Sequence, residues 1–470
     1  MVIKEVQSLC PVCRVPVRAC YVAEKGQVFL RKTCDIHGKF ESSVADREDL
    51  FFEWIQNESI NIPPKKAITR GKSSTVEMDQ CPLHCGVCEN HLQTACCVLI
   101  DVTNRCNQQC PYCFASAEES ASSDPSLSEL SRKLDLLLEL GEERSFNLQL
   151  SGGEPTVRED LPEIIALAKG KGFPYIQINT NGKRIGREKG YADQLKEAGA
   201  SVIFLQFDGT TDEIYQALRG EPLFETKKKA IENCRKAGLP VTIVPTIVKN
   251  VNLNNIGSMI DFLLERVDVV KGIHFQPVSF FGRHPDKLPL DGEGGHRDFD
   301  NRVTLFDIMR ELEVQTGGKI KTKDLYTTTS GHPLCSFSSS YQKNRDGSVT
   351  SLISSHTKAL GSCCNGPMEP LEVIKKDRDY VVNKWEISEQ KGDAPASASV
   401  SACSCQNSQE PLTFDDFIHE IRSGMFSVSS MAFMDATNLE GERLKRCRVQ
   451  VLSEDDRLIP FCAYNSIYRD

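Results

Sequence analysis

The sequence predicts an α/β protein whose central part is a partial (β/α)6 barrel. Between residues 98 and 280, short apolar runs alternate six times with longer amphipathic runs. The apolar runs are nearly continuous, as in parallel strands that are covered on both faces, and such alternation favours a parallel sheet curled towards a barrel. The predicted strands are Val98–Val102, Asn147–Leu150, Tyr175–Asn179, Val202–Phe207, Val241–Val248 and Gly272–Val278. The predicted helices are Leu127–Leu140, Leu161–Lys169, Ala192–Ala198, Lys227–Ala237 and Ile256–Val267.

Length and composition indicate a globular enzyme of more than one domain. The 470 residues are enough for two or three domains, and 26% charged residues are ordinary for a globular chain. A net charge of −9 disfavours nucleic acid as a partner. We see no secretory signal and no apolar run that approaches the ~20 residues of a membrane span, so we expect a cytoplasmic protein. A lipid substrate would then be met at the membrane surface.

The chain contains 20 cysteines, and eight of them are separated from another cysteine by only two or three residues. Such gaps are typical of metal ligands in a reducing compartment rather than of a disulfide framework. Cys234 is an exception, because it lies alone in a predicted helix, and we interpret it as a small buried apolar residue.

Three cysteines follow the first predicted strand in the pattern Cys-x3-Cys-x2-Cys: Cys106, Cys110 and Cys113. An iron–sulfur cube usually has four cysteine ligands, so three thiolates leave one iron open to a ligand that is not protein. A zinc knuckle, or a cube that borrows a distant cysteine, is the alternative.

The second predicted strand ends in Ser-Gly-Gly-Glu-Pro, with Gly152, Gly153, Glu154 and Pro155. The glycines permit a close approach of the backbone, and a carboxylate suits an ammonium group. Together with the three-cysteine loop, this motif resembles the radical S-adenosylmethionine (SAM) superfamily. The resemblance implies a [4Fe–4S] cluster whose open iron chelates SAM, and a SAM amino group held near the Gly-Gly-Glu-Pro turn. It also implies an open six-unit barrel with its ligands at the C-terminal ends of the strands.

Polar residues at the ends of later strands are further candidates for cofactor or substrate binding. They are Asn181, Gln206, Asp208 and Gln276. Asn181-Gly and Asp208-Gly could equally be ordinary turns, which favour these residue types. Gln206 and Gln276 are embedded in apolar strands, where an amide needs hydrogen-bond partners, so a site is favoured.

Two more groups of cysteines lie upstream of the barrel. Cys81, Cys85 and Cys88 repeat the Cys-x3-Cys-x2-Cys pattern, and Cys96 supplies a fourth thiolate, which predicts an auxiliary [4Fe–4S] cluster. His84, His91 or Cys97 could replace one ligand, and a structural zinc is the alternative. Near the N-terminus, two knuckles predict one mononuclear zinc or iron site, with Cys20 as a rival for the fourth ligand. Their residues are Cys10, Cys13, Cys34 and His37.

The C-terminal third holds cysteines that are far apart in sequence. Cys335, Cys447 and Cys462, with one of the pair Cys363 and Cys364, could form a second auxiliary cluster, or they could be ordinary thiols. Cys403 and Cys405 lie in a Ser- and Ala-rich stretch that we interpret as a flexible loop. We therefore divide the chain into a metal-binding module (1–75), an auxiliary-cluster motif (76–97), a core barrel (98–290) and a cysteine-containing C-terminal extension (291–470).

The order of all these motifs resembles the archaeal tetraether lipid synthase group and its bacterial relatives, some of which are described as methylases of a pterin precursor. The resemblance runs from Cys10 to Arg283 and resumes at Cys335 and near Cys462. It implies cleavage of SAM to a 5′-deoxyadenosyl radical, with an electron from a reductant such as ferredoxin or flavodoxin. Carbon–carbon coupling of lipid chains is the leading expectation, with contact to a membrane surface. Radical methylation of a pterin-like small molecule is the alternative, and a non-catalytic electron-transfer protein is the third hypothesis.

Overall fold

The computed structural model describes most of the chain at the level of secondary structure and side chains. The described residues are 1–56, 61–64, 82–83, 85–86, 88, 90–118, 123–141, 145–285, 296–297, 302–327, 331–352 and 424–469. Cys81, His84, Cys363, Cys364, Cys403 and Cys405, which carry part of the predictions above, lie outside them.

The N-terminal residues form a small antiparallel sheet. Its first four strands are consecutive neighbours, and a fifth, short strand from later in the chain pairs in parallel with the fourth. The strands are β1 (Val2–Leu9), β2 (Pro16–Glu24), β3 (Gln27–Cys34), β4 (Gly38–Ala45) and β12 (His296–Arg297). Helix α1 (Glu48–Ile55) follows and buries Phe51 and Trp54. These two side chains belong to the same hydrophobic core as the barrel strands, so the module packs directly on the barrel.

The predicted α/β barrel is confirmed. Six strands run in parallel and in chain order across the sheet. They are β5 (Cys97–Thr103), β6 (Asn147–Gly152), β7 (Ile176–Thr180), β8 (Val202–Gln206), β9 (Val241–Val244) and β11 (Val270–Pro277). The fifth predicted strand is interrupted at Pro245, which has no N–H to donate, and its remainder is β10 (Thr246–Ile247), paired with β11.

Helices connect the strands as predicted, with two additions. Within the described residues, the barrel helices are α2 (Leu127–Leu140), α3 (Leu161–Gly170), α4 (Lys183–Arg187), α5 (Tyr191–Ala198), α6 (Asp212–Arg219), α7 (Phe224–Lys236) and α8 (Ile256–Leu264). Helices α9 (Leu305–Gln315) and α10 (Gly441–Lys445) follow the barrel. The two additions in the barrel, α4 and α6, were not predicted from the sequence, and neither were α9 and α10.

The C-terminal extension adds strands to both ends of the parallel row. They are β13 (Ser336–Lys343), β14 (Val349–Ser351), β15 (Met425–Met431), β16 (Val449–Leu452) and β17 (Leu458–Pro460). Strand β15 pairs in parallel with β11, and β16 pairs in parallel with β5. The row therefore has eight parallel strands instead of the predicted six.

The two ends of this row approach each other. Phe433 follows β15 and Phe461 follows β17, yet their ring centroids lie 4.4 Å apart. The backbone N–H of Met434 also donates to the Cys462 sulfur at 3.2 Å. The sheet is thus curled into a barrel, and residues 432–448 bridge its ends. Among the described residues, no helix is both long and apolar enough to cross a membrane.

Candidate active site at the C-terminal ends of the strands

The loop that carries the three cysteines, residues 104–118, is called the cluster loop here. It follows β5 directly, and Cys106, Cys110 and Cys113 are all partly exposed. Its far end is fastened to the segment after β11, because Cys113 and Arg283 exchange two backbone hydrogen bonds of 2.9 and 2.8 Å. The Arg283 guanidinium also donates to the carbonyl oxygen of Cys110 at 3.1 Å. A Cβ on Gly282 would lie 2.3 Å from the carbonyl oxygen of Cys113, so this close approach requires glycine.

The structure brings the three thiols into one electrostatic group. Burial raises the pKa of Cys106 to about 12, and the neighbouring charges of Glu154, Cys110 and Cys113 add to that effect. Three soft sulfur ligands in one loop fit an iron–sulfur cluster, because the irons supply the positive charge that keeps thiolates deprotonated. Cluster binding would therefore release protons from this loop.

The Gly-Gly-Glu-Pro turn packs against the start of the cluster loop. The N–H groups of Gly153 and Glu154 donate to the carbonyl oxygens of Thr103 and Arg105, at 2.8 and 2.9 Å. A Cβ on Gly152 would lie 2.0 Å from the Thr103 oxygen, and one on Gly153 would lie 2.2 Å from the Arg105 oxygen. The glycines thus permit a close approach to the chain that leads into the cluster loop. The predicted contact of this turn with SAM stays a prediction.

Glu154 is buried, with 2% of its surface exposed, and its carboxylate is engaged with protein donors. One oxygen accepts from the Thr156 N–H at 3.0 Å and from the Thr156 and Thr180 hydroxyls, both at 2.6 Å. The other oxygen accepts from the backbone N–H of Asn181 at 2.6 Å. Glu154 therefore joins the Pro155–Val157 turn to the end of β7, and this bracing role was not predicted.

Asn181 connects the end of β7 to the cluster loop. Its Nδ2 donates to Oδ1 of Asn107 at 2.8 Å. Next to it, Lys183 donates to the Asn107 carbonyl oxygen at 3.0 Å. Asn181 thus positions the cluster loop from the end of β7, and its role in cofactor or substrate binding stays a prediction.

Asp208 is fully buried and forms an ion pair with Arg219, the last residue of α6. The Arg219 side chain reaches the cluster loop, where it donates to the Tyr112 carbonyl oxygen at 2.9 Å. Burial raises the pKa of Cys110, while the charge of Arg219 and a hydrogen bond from its guanidinium oppose that rise. Arg219 was missed in the sequence, where it resembles a surface residue at the end of an amphipathic helix.

Lys227 is another cation that was not singled out in the sequence, and it is wholly buried behind the strand ends. Its Nζ donates to the carbonyl oxygen of Asn181 at 2.5 Å and to Oε1 of Gln206 at 2.9 Å. Desolvation lowers the pKa of Lys227 to about 7, although the carboxylate of Asp208 opposes this shift. Gln206 also donates to Asp208, so Lys227 and Arg219 are joined through two residues that the sequence did single out. Gln276 lies at the adjoining end of β11, opposite Thr246 of β10.

The two N-terminal knuckles converge at one end of the small sheet. The ligand atoms of Cys10, Cys13, Cys34 and His37 all lie within 4.8 Å of one another, so their mutual distances fit one tetrahedral ion. Cys20, the rival ligand, lies on β2 and is not part of this group. Burial raises the pKa of Cys10 to about 11, whereas hydrogen bonds from the N–H groups of His37 and Ile36 outweigh burial and lower that of Cys34 to about 6.

Replacing Cys34 with serine should remove one equivalent of zinc or iron per chain and unfold the β1–β4 sheet. A small sheet of this kind depends on its metal, and the ligands must lose protons to bind it, so metal affinity should also fall as pH is lowered. Metal analysis of purified protein between pH 8 and pH 5.5 tests both effects, with Cys20→Ser as the matched control. Metal loss from the control equal to that from Cys34→Ser would contradict the assignment of His37 as the fourth ligand.

The assignment of Cys96 to the motif of Cys81, Cys85 and Cys88 stays a prediction, because Cys81 lies outside the described residues. In the structure, the backbone N–H of Cys96 donates to the Arg448 carbonyl oxygen at 3.0 Å, beside Cys447. The reason is that β16 pairs in parallel with β5, so the residues before both strands lie side by side. Cys88 is exposed.

Cys96, Cys335, Cys447 and Cys462 form a second group of thiols that lie close enough to affect one another. Burial raises the pKa of Cys447 to about 12, and the charges of Cys335 and Cys96 contribute. Burial also raises the pKa of Cys462, to which Cys447 and Cys335 contribute. Arg443 donates to the Cys335 sulfur at 3.4 Å. Four thiols with an adjacent cation could hold an auxiliary cluster, and Cys85 packs in the same apolar cluster as Cys462.

The comparisons with known proteins agree with this geometry. The model of the radical SAM superfamily matches residues 100–263, and that of the HMPTM N-terminal zinc ribbon domain matches residues 2–46. The chain is therefore a radical SAM enzyme that uses a [4Fe–4S] cluster and SAM, with an additional metal site in the N-terminal sheet.

Relatives of known name define the family more closely. The chain is 34% identical to the 7,8-dihydro-6-hydroxymethylpterin dimethyltransferase of Methanocaldococcus jannaschii, over 99% of this chain and 94% of the relative. It belongs to the family of that protein. It is also 34% identical to the Fe-coproporphyrin III synthase of Methanosarcina barkeri, over 40% of this chain and 45% of the relative. Among solved structures, methylornithine synthase matches with 17% identity and a TM-score of 0.35, covering 49% of this chain and 64% of that one.

Proposed function

We propose that this enzyme transfers a methyl group to a carbon atom of a pterin-like heterocycle. The similarity to a pterin dimethyltransferase along nearly the whole chain supports this proposal. It moves lipid coupling, the leading expectation from the sequence, to second place.

The polar inward face of the barrel is the observation that carries the proposal. Along each strand, the residues that pack in the main hydrophobic core alternate with residues that point the other way. In the half of the barrel nearer the C-terminal ends of the strands, these inward residues are mostly polar and partly exposed. They are Gln149, Asn179, Gln206, His274 and Gln276.

These side chains suit a flat polar molecule. Gln177 donates to Asn179 at 2.7 Å, and His274 Nδ1 lies 3.0 Å from the Ser429 hydroxyl, so the wall presents oriented amides and an imidazole. The Phe204 ring lies 5.8 Å from the His274 ring and offers an aromatic surface for stacking. An alkyl chain could not hydrogen-bond to the amide donors and acceptors of this wall that the protein does not itself pair, and each such group buried without a partner costs about 1–3 kcal/mol. A heterocycle with ring nitrogens and carbonyls would satisfy them.

When bound, the cluster and SAM supply the 5′-deoxyadenosyl radical that removes a hydrogen atom from the substrate. The residues of the chain position the cluster loop and the substrate. Arg283, Lys183 and Arg219 hold the cluster loop, and the Gln-rich inward face orients the substrate below it. We further propose that a low-potential one-electron donor such as ferredoxin or flavodoxin reduces the cluster.

The second candidate is radical coupling of lipid chains, which one observation favours. Phe461 packs against Phe114, next to Cys113, with ring centroids 5.8 Å apart, and against Phe281 at 6.3 Å. Phe114 is 37% exposed, and Leu99 and Val451 pack in the same apolar group. Such a surface beside the cluster loop could accept an alkyl chain.

Incubation of the reconstituted enzyme with a dihydropterin, a chemical reductant and SAM carrying a deuterated methyl group tests the proposal. Mass spectrometry should detect a pterin in which a deuterated methyl group from one SAM has replaced a hydrogen atom, together with the 5′-deoxyadenosine, from a second SAM, that has taken up this hydrogen. A membrane lipid supplied instead should remain unchanged. Lipid dimers lighter by two hydrogens, with the pterin unchanged, would replace the proposal by the second candidate.

Replacing Asn179 with leucine should reduce the yield of methylated pterin roughly tenfold, because one lost hydrogen bond and one unpaired partner cost about 1.4 kcal/mol. Formation of 5′-deoxyadenosine without substrate should persist. Because the Asn179 side chain is only partly buried, we expect this change to be mild for folding. Gln216→Leu, at an exposed position of α6, serves as control. Equal yields from Asn179→Leu and the control would count against a pterin held by the inward face.

A further inference from the structure

The guanidinium of Arg219 is a buried charge beside the cluster loop. Only 7% of the residue is exposed, and two of its nitrogens hold the Asp208 carboxylate in a fork, Nε to Oδ2 and Nη2 to Oδ1, both at 2.7 Å. Gly220 follows in a left-handed conformation and ends α6 there, so the side chain leaves the helix at a fixed position.

The third nitrogen faces the cysteines. Nη1 donates to the carbonyl oxygen of Tyr112, which lies between Cys110 and Cys113 in the loop. The charge of Arg219 also acts on the Cys110 thiol, whose pKa it lowers against the effect of burial. The paired carboxylate therefore lies behind the guanidinium, and the cationic N–H groups lie towards the sulfur ligands.

We propose that Arg219 raises the reduction potential of the cluster held by Cys106, Cys110 and Cys113, and that Asp208 orients Arg219 and partly offsets its charge. Reduction transfers one electron from a low-potential donor to the cluster and so adds one negative charge. A buried cation stabilises that added negative charge more strongly than the same cation would if it were exposed to water, because the protein interior screens charges less. Hydrogen bonds to cluster sulfurs act in the same direction. This role holds for either candidate substrate, because it concerns the step before substrate reacts.

Anchoring of the loop alone would not explain this arrangement. Arg283 already donates to the carbonyl oxygens of Cys110 and Ala117, at 3.1 and 3.0 Å, and Lys183 donates to that of Asn107. Arg219 instead places a buried positive charge beside the residues that carry Cys110 and Cys113, and it has a buried counter-charge, Asp208, that a simple anchor does not need. Arg219 is thus a positioning residue with an electrostatic effect.

A redox titration of the full-length, reconstituted protein under anaerobic conditions tests the proposal. The cluster would be followed through the part of the electron paramagnetic resonance signal that changes when SAM is added, which separates it from any auxiliary cluster. Arg219→Gln should lower the equilibrium constant of one-electron reduction at least threefold, about 28 mV. Asp208→Asn should raise it, because the charge of Arg219 is then no longer offset.

The opposite signs of the two predicted shifts in reduction potential distinguish an electrostatic effect from structural damage, which would not be expected to raise the potential in one variant and lower it in the other. Arg158→Gln is the matched control, because Arg158 is 5% exposed and donates to the carbonyl oxygens of Val102 and Pro125, both at 2.8 Å. The control should leave the potential unchanged. If Arg219→Gln fails to retain its cluster, Arg219→Lys should keep most of the wild-type potential while Asp208→Asn still raises it. Shifts of equal sign in Arg219→Gln and Asp208→Asn, or no shift in Asp208→Asn, would overturn the proposal.

Discussion

Replacing Cys110 with alanine is expected to abolish SAM cleavage, with 5′-deoxyadenosine falling by more than about three orders of magnitude, because no side chain can replace the cofactor's radical chemistry. Iron content should fall by about four atoms per chain, since two thiolates cannot hold a cube whose fourth iron is open. Chromatographic assay of 5′-deoxyadenosine, with iron and sulfide analysis of the same samples, measures both effects.

Cys234 offers the matched control for this substitution. It is also a buried cysteine, 1% exposed, but it lies in α7 and packs in the hydrophobic core. Cys234→Ala should retain the cluster and the cleavage activity, at a cost of about 1–2 kcal/mol in the free energy of unfolding. A Cys110→Ala protein that kept full iron content and still cleaved SAM would contradict the assignment of the cluster loop.

Replacing Gly153 with alanine is expected to have the second largest effect. The new Cβ would lie 2.2 Å from the Arg105 carbonyl oxygen and 2.7 Å from its carbonyl carbon, both in the backbone, which cannot rotate away. The start of the cluster loop must therefore move. We expect a loss of about 3 kcal/mol in the free energy of unfolding and most of the bound iron.

Gly170→Ala is the control, because Gly170 ends α3 and its added Cβ would meet nothing within 4 Å. That change should be neutral or stabilise the protein by up to about 1 kcal/mol. Urea unfolding of both variants, with iron analysis, makes the comparison. An iron content in Gly153→Ala equal to that in Gly170→Ala would mean that the turn does not support the cluster loop.

The sequence was sufficient for the features whose signals are local. Each predicted barrel strand is an apolar run that stands alone between polar segments, and each corresponds to an observed strand. The ligands Cys10, Cys13, Cys34 and His37 could be found because each knuckle is short in sequence.

The features that escaped prediction depend on distant parts of the chain. Strand β15 has a Ser-rich sequence and β16 has only four residues, so neither has a strong strand pattern, and both are fixed by pairing with barrel strands far away. The same pairing places Cys96 beside Arg448, the residue that follows Cys447. Arg219 and Lys227 were missed because a charged residue in an amphipathic helix normally faces water, and only the fold shows that these two are buried.

Mass spectrometry of whole-cell extracts, from cells that express the protein anaerobically and from cells that do not, tests the central claim most directly. The proposal predicts a pterin-like heterocycle that becomes heavier by one or two methylene units only when the active protein is present, with lipids unchanged. Expression of Cys110→Ala should abolish that product. Lipid pairs lighter by two hydrogens, with the heterocycles unchanged, would contradict the proposed substrate and favour carbon–carbon coupling.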